Sequence, residues 1–136
     1  MGRLSTAQFA LAYLAVLVAL AILDGLWLGV VSKGLYQREM GSLMADPIRV
    51  APVIGFYLLY PIAVVYLCLH TPPAGFGEAA LRGFVLGAAA YAAYNLTNLA
   101  IIRGWPVGLT FIDWTWGSLV TAAAALAGYA ATWARQ

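Results

Sequence analysis

From Ser5 to Val31 the chain runs STAQFALAYLAVLVALAILDGLWLGVV, with Asp24 as its single charge. A secretory leader has an apolar core of about 7–15 residues followed by a small-residue cleavage site. This run is far longer, and Asp24 and Trp27 stand where a cleavage region would be. It reads as a retained transmembrane helix, since at ~1.5 Å per residue it reaches across ~30 Å of hydrocarbon with some tilt.

Three more apolar runs follow. A second span extends from about Ile48 to Leu69, opened by Asp46-Pro47 as an N-cap and first-turn proline. Pro61, in its middle, removes a backbone bond near Tyr57 and predicts a kink there. A third span runs from about Glu78 to Ile102 and a fourth from about Leu109 to Trp133. HTPPAGFG (His70 to Gly77) and RGWPVG (Arg103 to Gly108) are turns by composition. Between the first two spans, Leu35, Met40, Leu43 and Met44 form one face of a short interfacial helix, with Lys33, Arg38 and Glu39 towards headgroups. The expectation is one domain over residues 1–136: an all-α membrane protein, four antiparallel transmembrane helices in a compact bundle with both termini on the same side.

Composition settles the class. Hydrophobic residues make up 64% and charged ones 9%, against roughly 45–50% and about 25% in a soluble domain, so no polar surface can cover the chain. A net charge of +2, scattered, argues against nucleic acid as a partner. One cysteine, Cys68, leaves no intrachain disulfide, and a single histidine beside it makes an all-protein zinc or iron–sulfur site implausible. No cofactor or metal is expected, although carboxylate ligation stays open. Arg3, Arg82 and Arg135 fall on one side, and Lys33, Arg38, Arg49 and Arg103 on the other. That bias is too small to orient the chain by the positive-inside rule, and leans only slightly towards a cytoplasmic first and third loop.

Small residues recur four apart: Ala21, Gly25 and Gly29 in the first span, Ala79, Gly83 and Gly87 in the third, Gly117, Thr121 and Ala125 in the fourth. Such lines let helix backbones approach closely, within the bundle or between two copies, so a homodimer is a candidate assembly.

Polar residues cluster at one depth. Counting ~3.6 residues per turn from the Lys33–Arg49 and Arg103 loops, Asp24, Tyr57, Tyr60, Asn95, Thr97, Asn98 and Asp113 all fall in the leaflet nearer those loops. Each carboxylate costs about 2.5–3.5 kcal/mol in lipid on insertion scales, so both should turn inward. Asp24 and Asp113 share the spacing D-x-x-W, which sets Trp27 and Trp116 on the carboxylate's own helix face, where each indole can roof its Asp. Asp24, Asn98 and Asp113 are expected to converge, walled by Tyr94, Trp27 and Trp116, with Arg103 at the mouth. The plainer reading makes Asp24 a packing device, Asp113 a helix cap, and Trp105, Trp114 and Trp133 an interfacial aromatic belt.

D-x-x-W-L-G (Asp24, Trp27, Leu28, Gly29), Y-x-L-T-N-L-A (Tyr94, Leu96 to Ala100), W-P (Trp105, Pro106) and D-x-x-W-G (Asp113, Trp116, Gly117) together resemble the bacterial inner-membrane domain-of-unknown-function family 2177. The resemblance covers essentially the whole chain and implies a four-helix, multi-pass inner-membrane protein, with no activity attached. In the family's pattern an Asp follows the tyrosine of the third-helix motif. Asn95 stands there in this chain, which removes a third carboxylate and weighs against a three-acid metal or proton site.

Three functions fit. The first is a module that binds or moves a small polar molecule, a lipid headgroup or protons, with Asp24 as counter-ion. The second is a lipid-modifying enzyme with Asp24 and Asp113 as acid and base, against which stands the lack of a nucleophile constellation or a diphosphate-binding acidic cluster. The third is an accessory subunit whose polar core only fixes helix register. The first is favoured.

Overall fold

A computed structural model describes residues 2–136. Among them there is no strand. Helix α1 (Thr6–Leu26) starts on a capping box. The Ser5 hydroxyl accepts from the Gln8 N–H at 3.2 Å and the Gln8 side chain accepts from the Ser5 N–H at 2.9 Å. A π-helical turn (Trp27–Val31) continues α1, and Ser32 ends it by placing both its N–H and its hydroxyl on the Trp27 carbonyl. Gly34, at φ +77°, then turns the chain back into the short α2 (Leu35–Met40). That conformation is open to glycine at no steric cost.

Helix α3 (Val50–Val64) carries Pro61 inside it and passes into a second π turn (Val65–Leu69). It starts three residues later than Asp46-Pro47 suggests, with Arg49 in the N-cap position. Helices α4 (Phe76–Ile101) and α5 (Val107–Ala131) follow. Three of these helical stretches, Thr6–Val31, Val50–Leu69 and Phe76–Ile101, are long and apolar enough to cross a membrane. α5 has the length, at 25 residues, but Asp113, its tryptophans and its Ser and Thr residues dilute its apolar character.

α5 is nevertheless the helix the others gather on. Its buried side includes Leu109, Thr110, Gly117, Val120, Thr121 and Ala124. α1 meets it along a line four residues apart: Ala12, Val16, Leu20 and Asp24. α4 meets it along Ala79, Gly83, Gly87 and Asn95. The approach of α4 to α5 is backbone-close. A Cβ on Gly83 would stand 2.7 Å from that of Ala125, and one on Gly87 2.8 Å from the Thr121 side chain. This is the small-residue seam the spacing predicts. The line in α1 behaves differently: a Cβ on Gly25 or Gly29 meets open space, and Ala21 is exposed. α1 packs through the neighbouring line that ends in Asp24.

The far end is tied by backbone acceptors. The Leu4 N–H donates to the His70 carbonyl at 3.3 Å, and the Trp133 indole to the Leu69 carbonyl at 2.7 Å. Arg82 donates to the carbonyls of Cys68 (3.1 Å) and Thr71 (2.7 Å) and pairs with Glu78, the sole ion pair among the described residues. The Trp114 indole likewise reaches the Ala88 carbonyl on α4 at 2.9 Å. Trp114 and Trp133 are therefore helix-to-helix ties in addition to any interfacial role.

Candidate functional site: two carboxylates on one hydrogen-bond network

Both carboxylates turn inward, and each oxygen of each has one donor. Asp24, 7% exposed, accepts from the Tyr57 hydroxyl of α3 and, at 2.8 Å, from the Trp116 indole of α5. Asp113 accepts from the Tyr36 hydroxyl of α2 at 2.7 Å and from the Asn95 amide of α4 at 2.8 Å. The Asn95 amide also donates to the Tyr91 carbonyl at 3.0 Å, which fixes its orientation.

The two halves join through tryptophan. Trp27 and Trp116 stack at 4.5 Å between ring centroids, 8° from parallel, and the Trp27 indole donates to the Tyr36 hydroxyl at 2.9 Å. The arrangement is crosswise. The tryptophan of each D-x-x-W unit serves the other unit's Asp: Trp116 directly on Asp24, Trp27 through Tyr36 on Asp113. The π turn after Leu26 and the left-handed Gly34 bring Trp27 and Tyr36 into this position. Burial pushes the Tyr36 hydroxyl well above its ordinary pKa; the Trp27 hydrogen bond opposes this and the Asp113 charge reinforces it. Tyr36 stays a protonated donor at neutral pH.

Of the other residues marked from sequence, Tyr94 is exposed and sets its ring edge-on to Trp105 at 5.7 Å. Thr97 is exposed and donates to the Ala93 carbonyl of its own helix. Asn98 is half-buried, and it is Asn95, one turn earlier, that reaches the carboxylate. Arg103 is exposed and has no carboxylate within ion-pair distance. Tyr36 and Tyr91 carry no signal in the sequence that singles them out. Tyr36 sits in a loop helix 77 residues from its partner in sequence, beyond the reach of local spacing.

Asp113 is reached through a lateral cleft of about 700 Å³ between α3 and α4, lined by Val53, Phe56, Tyr57, Tyr91 and Tyr94. A smaller groove of about 240 Å³, floored by Ala21 and Gly25, leads between α1 and α3 to Asp24. Tyr57 lines both. No group of three or more His, Cys, Asp or Glu residues placed to hold a metal exists among the described residues.

A model of the family described as a predicted membrane protein, DUF2177, matches residues 9–130. The chain belongs to that family. The matched stretch takes in the whole network, from Asp24 to Trp116. No curated protein and no solved structure matches the chain.

Proposed function

We propose that this DUF2177 protein crosses the bacterial inner membrane four times, as an antiparallel bundle with both termini on one side, and that its carboxylate network binds a small polar molecule or lipid headgroup drawn sideways from the bilayer. α5 supports the fourth crossing. At ~1.5 Å per residue its 25 residues reach through ~30 Å of hydrocarbon, and several residues that dilute its apolar character are spent on other helices: Asp113 and Trp114 on α4, Trp116 on α1 and Thr121 on α3. Reporter fusions at the two termini should then report one compartment, and fusions near Met44 and Val107 the other. Termini in different compartments would refute the topology.

The binding reading rests on one observation. Two carboxylates sit among neutral donors with no cation beside them, and one of them lines a cleft that opens between helices rather than at a loop. A purely structural polar core has no use for such an opening, and intramembrane carboxylates otherwise mark ligand or ion paths. The four donors hold the carboxylates in place and leave further lone pairs for a guest. Protein purified from membranes in maltoside micelles should retain an amphiphile detectable by mass spectrometry of its extract. Asp113→Asn, at the carboxylate that lines the cleft, should lose that species. Extracts identical for wild type and variant would sink the reading.

A further inference from the structure

Resting on that reading, we infer that the occupant of the α3–α4 cleft is an amphiphilic organic cation, an ammonium group carried on an apolar chain. Four aromatic rings, Phe56, Tyr57, Tyr91 and Tyr94, line the cleft with Asp113, and no Lys, Arg or His does. Aromatic faces carry the negative side of the ring quadrupole and attract ammonium groups, most of all where water is excluded. The carboxylate supplies the formal charge. Its two donors, Tyr36 and Asn95, and Trp27 behind Tyr36 are all neutral, so the charge is oriented and left uncompensated. An anionic headgroup would meet like charge in a low dielectric. An uncharged one would gain a hydrogen bond to a remaining lone pair of Asp113 but neither the charge attraction nor the attraction of the ring faces.

The geometry also accounts for the tail. Phe56 is 42% and Tyr94 52% exposed at the rim, and Val53 continues the apolar wall outward. A chain leaving the cleft there passes directly into lipid. The cation is thereby held at the depth of Asp113 while its tail never crosses water, as expected of a guest that partitions into the bilayer first.

The test uses the full chain in uncharged maltoside micelles with three probes of equal chain length: dodecyltrimethylammonium, dodecanol and dodecanoate. Thermal unfolding is followed against probe concentration. The cation should raise Tm of the wild type at concentrations where dodecanol and dodecanoate do not. Asp113→Asn and Phe56→Leu should each need about tenfold more cation for the same shift, the loss expected from one charge or one ring face at about 1.4 kcal/mol per decade. Phe56→Leu keeps apolar volume at an exposed position, so it decides the matter if Asp113→Asn folds poorly. Equal shifts from the cation and dodecanol, unchanged in both variants, overturn the cation while leaving lateral binding intact. A preference for dodecanoate overturns it as well. No shift from any probe, together with an empty extract, removes both the cation and the binding reading.

Discussion

Replacing Gly117 by leucine is expected to open the α4–α5 seam and leave little folded, monodisperse protein. The ring of Tyr91 lies where a Cβ on Gly117 would stand, and the Gly117 carbonyl lies 2.5 Å from where a Cβ on Gly87 would be. The two glycines mark the point of closest approach, so neither the ring nor the backbone opposite can give way alone. Alanine already forces Tyr91 out, at the ~1–3 kcal/mol typical of overpacking, and leucine adds a branched chain with nowhere to go. Displacing Tyr91 also disturbs Asn95, which is anchored on the Tyr91 carbonyl, so damage at the seam spreads to Asp113. Gly25→Leu is the control, because open space surrounds that position. Tm in maltoside micelles should fall steeply for Gly117→Leu and stay level for Gly25→Leu. Similar values for the two would show that the seam does not hold the helices together.

That contrast marks what the sequence reveals. Helix positions are legible because long apolar runs and turn residues are local signals. The small-residue lines are legible too, but not which of them is used. The three lines at the α5 interface are Ala12-Val16-Leu20-Asp24, Ala79-Gly83-Gly87-Asn95 and Gly117-Thr121-Ala125. Stepping by four from Gly87 leads through Tyr91 to Asn95, and stepping back by four from Gly117 leads to Asp113. The same spacing that sets the packing therefore points to Asn95 rather than Asn98, a signal the depth count alone does not carry. Ala21, Gly25 and Gly29 have the same pattern and face outward, since a helix wide enough to be apolar all round offers several such lines. The crosswise tryptophans and Tyr36 lie beyond local reasoning. Position i+3 puts each indole on its own Asp's face, and only the crossing of α1 and α5, with the fold-back at Gly34, gives it to the other.

The crossing makes the Asp24–Trp116 pair testable as a unit. Asp24→Asn should cost no more than ~0.5 kcal/mol, near the ~0.6 kcal/mol average of hydrogen bonds within membranes. The amide oxygen can take the Trp116 indole, and the amide nitrogen can donate to the Tyr57 hydroxyl, which is able to accept as well as donate. An indole N–H has no such freedom. Asp24→Leu leaves it without an acceptor next to buried Gly117 and Val120, for a loss of ~1–2 kcal/mol, within the range for an orphaned buried donor. Tyr57 suffers less, since it lines the groove and the cleft and can turn its proton there. Trp116→Phe in the leucine background removes the orphan while keeping a ring against Trp27, so most of the loss should return, as when both partners of a buried pair become apolar. Unfolding free energies of wild type, Asp24→Leu, Trp116→Phe and the double variant, taken by denaturant titration in mixed micelles, close the cycle, with Asp24→Asn measured beside them. If Asp24→Leu matches Asp24→Asn, or if the second substitution restores nothing, the indole does not depend on Asp24. The network would then be a consequence of packing and not one of its causes.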